Sequence, residues 1–372
     1  MEGKNITKVS RRQFMQSSAW VSAGLALGVK MGWPAKAWAK VDEEIRQTRS
    51  YNPQMEYRRL GKTGLWVSAI SLGGHWKRID KVIGTGKINP YVAPENPEEF
   101  GPFLKNREKV IHHCLEAGIN CIDLAGNSEA EVYCRALGKK RDQIYLAYSH
   151  PASELRYQEN RTAKKLLELF EKRLRLCKQE YMDIWRLMAL ERGSQHCQKD
   201  VVAMVEALEK ARKQGKCRFT GFSTHDCKWA KMLIETYPDV MQVVVTPYTA
   251  KTKVLPRGSF FDSVLKHDVG VLGIKPFASN SIFKGNGSPD SPHAGEDDNR
   301  ARLVLRHILN NPAVTAPIPG LISIHQVDNA VKAVQERRKL DVLEKAEVEN
   351  IGKEMHASLP EEYQWLKEWE YV

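Results

Sequence analysis

The chain has 372 residues, 42% of them apolar and 27% charged, which is enough apolar material for a globular core and excludes a disordered or collagen-like polymer. Its seven cysteines are widely spaced and form no Cys-x-x-Cys pair, so they match neither a zinc ribbon, an iron–sulfur run nor a disulfide scaffold, and read as buried small residues. The formal net charge is +12, but residues 1–39 hold six Lys/Arg against one Glu, which leaves +7 on the remainder. A positive balance of that size suits a solvated basic face, an anionic saccharide or an envelope surface.

Ser10-Arg11-Arg12-Gln13-Phe14-Met15 opens the first feature, the uncharged run Gln13 to Val29 comes next, and Ala37-Trp38-Ala39 offers small residues around a cleavage point. The apolar part, Ala19 to Val29, is shorter than the roughly 20 residues a bilayer crossing needs. No stable membrane span is expected. The segment resembles a twin-arginine export signal. That resemblance implies the twin-arginine export machinery as a partner, a periplasmic or other extracytoplasmic location, and export of an already folded chain, usually folded around a cofactor. Export also argues against a nucleic-acid partner. The expected organisation is signal 1–39, linker 40–54, barrel 55–340 and helical extension 341–372.

From about Tyr57 short β-like runs alternate with amphipathic stretches, the pattern of βαβ units and a parallel sheet. The predicted strands are Val67 to Leu72, Asn120 to Leu124, Gln143 to Tyr148, Tyr181 to Met188, Cys217 to Phe222, Met241 to Val245, Val269 to Ile274 and Val314 to Ile318. Predicted helices include Arg107 to Ala117, Thr162 to Leu176, Val201 to Gln214, Lys228 to Tyr237 and Gln326 to Lys339. Eight such strands leave no open edge if they close on themselves, which predicts an α/β fold, a single (β/α)8 TIM barrel. Lys77 to Lys105 and Ser281 to Asp298 read as long loops after strands 1 and 7, over the face where barrel enzymes keep their sites.

Met55-Glu56-Tyr57-Arg58-Arg59-Leu60-Gly61-Lys62-Thr63-Gly64-Leu65-Trp66-Val67-Ser68, Gly118-Ile119-Asn120-Cys121-Ile122-Asp123, Thr220-Gly221-Phe222-Ser223 and Ala316-Pro317-Ile318-Pro319-Gly320 with Gln326 after it stand in order along the chain. Together they resemble the aldo-keto reductases, from the N-terminal hairpin to the helix that grips the cofactor's adenosine phosphate. The resemblance implies hydride transfer from NADPH to a carbonyl, with a tyrosine giving the proton, a lysine and an aspartate tuning it, and a histidine orienting the substrate. A phenol of pKa about 10 needs a neighbouring cation before it protonates an alkoxide quickly near neutrality. Asp123 stands in the aspartate's place. The tyrosine, lysine and histidine positions hold Ser128, Ser149 and Met188. Thr224 replaces an amide-binding asparagine and Ile322 a phosphate-binding residue, whereas Ser223 and Gln242 suit a nicotinamide carboxamide.

Strand parity supplies the replacements. If Met188 faces the barrel interior so does Arg186, one layer deeper, where it can balance Asp123 as a structural or a catalytic pair. His75, His150 and His225 each stand just past a predicted strand end, and an imidazole titrates near neutrality unaided. Lys275, at the end of strand 7, is expected to meet a phosphate or an acidic substrate group. Asn280 and Ser281, with Gly285 and Gly287, offer a pyrophosphate strap or an ordinary polar loop. Gly320 and Gln326 belong to the expected adenosine-phosphate end. Tyr363, Trp365, Trp369 and Tyr371 either close over the mouth or pack as a terminal helix. No metal motif has standard spacing.

The expected catalytic set is therefore Asp123, His75, His150 and Arg186, with His75 or His150 as proton donor. The expected cofactor set is Ser223, Gln242, Lys275, Asn280, Gly320 and Gln326. Together with the two resemblances, these residues imply an exported NADP(H)-dependent oxidoreductase acting on a saccharide-like carbonyl or alcohol. A non-redox lyase, isomerase or hydrolase using the histidines, and a binding protein without chemistry, are the alternatives.

Overall fold

The computed structural model describes residues 35–126, 128–336 and 338–372. The paired arginines and apolar run of the expected export signal lie outside the described residues. A helix, Ala35–Arg46, crosses the expected cleavage point and enters the expected linker. The rest of that linker is fastened to the barrel: Thr48 Oγ1 donates to the Trp66 carbonyl at 2.6 Å, and Arg49 donates to the Ile144 carbonyl at 2.6 Å.

The antiparallel hairpin β1 (Tyr57–Arg59) and β2 (Trp66–Ser68) plugs the N-terminal end of the barrel. Gly61, at φ 49°, makes its turn, and a Cβ there would lie 2.3 Å from the Gly270 nitrogen, so only glycine lets the plug seat this deeply. Eight parallel strands come after it: β3 (Leu72–Gly73), β4 (Cys121–Leu124), β5 (Tyr145–Tyr148), β6 (Met182–Met188), β7 (Cys217–Ser223), β8 (Val243–Pro247), β9 (Gly270–Ile274) and β10 (Ala316–Pro317). Ser71 and Gly73 donate backbone hydrogen bonds to Pro317 and Pro319 at 3.0 and 2.8 Å, joining the last strand to the first. Each strand leads to a helix, in turn Pro97–Glu116, Glu129–Leu137, Ala163–Leu176, Gln198–Lys213, Cys227–Thr236, Phe260–His267, Ala294–Leu309 and Ile324–Gln335. This is the expected (β/α)8 barrel with its N-terminal hairpin.

Alternation divides the core in two. Cys121, Ala147, Ile184, Val243, Val245 and Leu272 pack inside the cylinder with Leu60, Leu65 and Val67 of the hairpin. Ile122, Leu146, Trp185, Leu187, Phe222 and Val244 face the helices instead. Phe170 stacks on Trp185 at 4.1 Å in that outer layer.

Several boundaries differ from the sequence pattern. The run Val67 to Leu72 divides between β2 and β3, because Ser68 Oγ turns back on the Ile70 carbonyl at 2.6 Å and bends the chain. Strand β8 starts two residues later than expected, since an unbroken run of valines carries no period to locate it. The first long loop holds a short helix, Ile79–Ile83, and ends early where Asn96 caps the helix from Pro97 by accepting from the Glu98 nitrogen at 3.0 Å.

After helix Val342–Ser358 a 3-10 stretch, Glu361–Trp369, returns across the C-terminal mouth of the barrel. It is pinned beyond the mouth by Val372, which donates to the Lys253 carbonyl at 3.0 Å and accepts from the Leu255 nitrogen at 2.7 Å. Among the described residues no helix is long and apolar enough to cross a membrane.

Candidate active site

The C-terminal ends of the strands surround a cavity of about 720 Å3. Its floor is an ion pair made by two inward positions on β4 and β6. Arg186 Nε and Nη2 donate to the two oxygens of Asp123, both at 2.6 Å, and Nη1 donates to Ser223 Oγ at 3.0 Å. Both side chains are within 3% of full burial. Two parallel charge-assisted bonds and a hydroxyl satisfy the groups that burial strips of water. The sequence-expected pairing is thus present, and Ser223 is tied to it.

His75, after β3, lines the wall, and its Nδ1 hydrogen-bonds Glu129. Glu129 is wholly buried, and its other oxygen accepts from the nitrogens of Ala125 and Gly126 at 2.6 and 2.7 Å. The close packing depends on Gly74, where a Cβ would lie 2.1 Å from that oxygen. Sequence reasoning missed Glu129; the signal was the glycines Gly74 and Gly126 standing against one carboxylate at the start of a helix.

His150 does not reach the cavity. Its ring turns into the loop after β5, where Nδ1 and Ser153 Oγ are 2.9 Å apart, so the structure gives no support to it as a proton donor. Ser149, in the lysine position, is buried and its hydroxyl has no partner among the described residues. Met188, in the histidine position, lines the cavity as a thioether. Its nitrogen donates at 2.6 Å to Glu154, a buried carboxyl also reached by Trp185 Nε1 at 3.2 Å. Burial raises the Glu154 pKa to about 7.

Of the expected cofactor residues, Ser223, Lys275, Asn280 and Gly320 line the cavity. Gln242 does not. It precedes β8 at the opposite end of the barrel, its Oε1 accepting from the Thr220 nitrogen at 3.1 Å, and Val245 stands level with Ser223 at the mouth instead. Gln326 closes its own helix start, accepting from the Ile322 nitrogen at 3.0 Å, and is not part of the lining.

The rim carries groups that sequence reasoning did not assemble. Lys77 reaches across the opening and donates to Ser279 Oγ at 2.6 Å. The Nζ atoms of Lys275 and Lys77 lie 4.9 and 6.0 Å from the centre of the Tyr363 ring. Neither lysine has an ion-pair partner among the described residues. The phenol oxygens of Tyr363 and Tyr91 are 3.5 Å apart, and the Tyr91 ring meets the His75 ring edge-on at 4.7 Å. Burial works to raise the Tyr363 pKa, but Lys275, the hydroxyls of Tyr91 and Ser279, and Lys77 together hold it below that of an ordinary tyrosine. Burial instead raises that of Tyr91.

Trp365 stacks on His225 at 3.8 Å, and Trp369 Nε1 donates to the His225 carbonyl at 2.6 Å. Burial, with Lys275 and Arg156 nearby, pushes the His225 pKa well down. Tyr371 is exposed beside Lys253, away from the mouth. His75, His150 and His225 therefore have separate partners, and among the described residues no three His, Cys, Asp or Glu side chains form a metal-holding group.

An aldo/keto reductase family profile matches residues 104–302, more than half of the chain. The chain is 23% identical over 313 residues to L-galactose dehydrogenase of Arabidopsis thaliana, covering 77% of this chain and 90% of that protein. It is 21% identical over 266 residues to L-glyceraldehyde 3-phosphate reductase of Escherichia coli O157:H7, covering 67% and 70%. In structure it resembles a Klebsiella pneumoniae aldo-keto reductase in complex with NADPH, with a TM-score of 0.58, 20% identity, and coverage of 80% of this chain and 95% of that one. A holo-form aldo-keto reductase from Bacillus halodurans gives 0.56, 19%, 83% and 99%. The profile match and the order of the motifs around the barrel make this chain a member of the aldo/keto reductase family.

Proposed function

We propose that the chain is an exported oxidoreductase that moves a hydride between NADP(H) and a carbonyl or alcohol carbon of a sugar-like substrate, using a non-standard acid/base set. The observation that carries this reading is one cavity at the C-terminal mouth, floored by the Asp123–Arg186 pair and rimmed by two lysines without ion pairs among the described residues. A dinucleotide fits those residues. Lys275 and Lys77 match phosphate charge, and Ser223 and Asn280 offer hydrogen-bonding groups. When bound, NADP(H) supplies the hydride donor or acceptor.

The chain's own residues do the rest. Asp123 and Arg186 fix a neutral, rigid floor beneath the reacting carbon. His75, held from behind by Glu129, presents its remaining ring nitrogen to the substrate oxygen and takes the orienting part that Met188 cannot. Names of the two curated relatives, one for L-galactose and one for L-glyceraldehyde 3-phosphate, support a sugar-like substrate. The motif at Arg11-Arg12 supports export of a folded chain that keeps its nucleotide.

Thermal-shift measurements with NADP+, NADPH, NAD+, NADH, divalent metals and a saccharide panel test the reading. Saturation at a hundred times Kd stabilises by about 2.7 kcal/mol. NADP(H) should raise the midpoint, and the nucleotide should be visible at ~340 nm where the purified chain retains it in reduced form. A chain that NADP(H) does not stabilise refutes the proposal. Ser128, Ser149 and Met188 favour the second reading, a saccharide-binding barrel without chemistry, which a shift with saccharides alone would establish.

A further inference from the structure

We propose that Tyr363, delivered to the mouth by the C-terminal segment, is the proton donor and acceptor of this active site, with Lys275 as its cationic partner and Tyr91 as the group through which it exchanges protons. The inference rests on the oxidoreductase reading above and names a residue for it. Its basis is geometric. Tyr363, Tyr91, His75, Lys77, Lys275 and Asp123 line one cavity. The phenol oxygen of Tyr363 is 3.5 Å from that of Tyr91, whose ring lies 4.7 Å from that of His75, so the phenol borders the group that would hold the substrate oxygen. Lys275 Nζ stands 4.9 Å from the Tyr363 ring. A tyrosine beside a lysine is what an alkoxide needs, and Ser128 and Ser149 cannot provide it.

The placement is built. Trp365 stacks on His225, Trp369 is bonded to the His225 carbonyl, and Val372 is paired with Lys253, so the segment carrying Tyr363 is held at several points. The charged and titratable groups facing the phenol are Lys275 after β9, Lys77 and Tyr91 after β3, and Glu362 beside it; His75 and Glu129 lie behind Tyr91. Burial acts to raise its pKa, but Lys275, the hydroxyls of Tyr91 and Ser279, and Lys77 together leave the phenol more acidic than usual, while Tyr91 keeps its proton and can donate to the phenolate.

In reduction the carbonyl carbon accepts the hydride, the C=O π pair moves to oxygen, and that oxygen takes the proton of Tyr363 as the phenol O–H bond breaks. Reduction of the carbonyl is balanced by oxidation of the dihydronicotinamide. The phenolate regains a proton from water by way of Tyr91. In alcohol oxidation each transfer runs backwards.

The test combines a phenol titration with turnover, both on the full chain. Absorbance at ~295 nm against pH should reveal a tyrosine titrating ahead of the rest, lost in Y363F and moved upward in K275M. With NADPH and L-glyceraldehyde, or NADP+ and L-galactose, Y363F should lower kcat at least a hundredfold while KM changes less than fivefold, as expected for a proton donor. K275M should move the alkaline limb of the reduction profile upward together with the titration. An early phenol that survives in Y363F, or a Y363F enzyme with wild-type kcat, overturns the inference even in an active protein. The expected titration without NADP(H) turnover by the wild-type chain overturns the oxidoreductase reading, and the proton-donor role falls with it.

Discussion

Arg186→Met isolates the carboxylate at the centre of the barrel, and its cost can be worked from the structure. The wild-type pair has two bonds of 2.6 Å, a third contact at 3.0 Å to Ser223, and almost no solvent. Removing one member of such a pair leaves a buried charge unbalanced, at about 3–5 kcal/mol. Unfolding entropy of about 2.1 cal/mol/K per residue over this length converts 4 kcal/mol into a Tm loss of roughly 5 °C. The double variant Asp123→Asn/Arg186→Met removes both charges and should recover at least half of that loss. Urea denaturation of the wild type, both singles and the double closes the cycle, and the coupling should be about 2 kcal/mol or more. A single variant within 1 kcal/mol of wild type, or a double whose loss is the sum of the singles, would refute the claim that the buried Asp123 and Arg186 side chains stabilise the fold as a pair.

Glu154 makes stability depend on pH in a calculable direction. Its pKa is about 7 when folded against an ordinary 4.5 when unfolded, so the folded chain holds the extra proton between those values. Its contribution is fully present below pH 4.5 and disappears as pH rises through 7, a loss of about 3 kcal/mol. Unfolding free energies from pH 4 to 9 should fall less steeply in E154Q, and parallel curves for the two proteins would remove Glu154 as the cause. Gly74→Ala drives a methyl group against the Glu129 carboxylate and should cost about 2 kcal/mol as overpacking. Denaturation of G74A, E129A and the double should show the double costing clearly less than the sum; additive losses would mean the two residues do not meet.

The barrel and its floor were readable because both derive from alternation. Asp123 and Arg186 occupy inward positions on strands whose polar residues interrupt apolar runs, so their meeting could be worked out by counting. Gln242 shows the limit of counting. Its carboxamide role is what the resemblance implies, whereas Gln242 stands second in the run Met241 to Val245, at the end far from the mouth, and pairing with β7 and β9 starts the strand at Val243 and leaves the glutamine just before it. His150 lies outside the cavity lining for another reason: a residue just past a strand takes its direction from the loop, and this ring is hydrogen-bonded to Ser153. Glu129, Tyr91 and Lys77 lie on connections after β3 and β4, where no repeating pattern places a side chain. Tyr363 was visible only as one of four terminal aromatics, of which the structure brings Tyr363 and Trp365 to the cavity side, uses Trp369 as a fastening and leaves Tyr371 outside.

The guanidinium and carboxylate beneath the opening cancel and Arg156, on the wall after β5, is paired with Glu191, so among the described lining residues the unpaired positive charge stands at the edge where Lys77 and Lys275 come after β3 and β9. An approaching molecule with a charged tail and a neutral head is thus turned in flight, tail toward that edge and head toward the wall of β4 to β6, before any atom of it touches the protein.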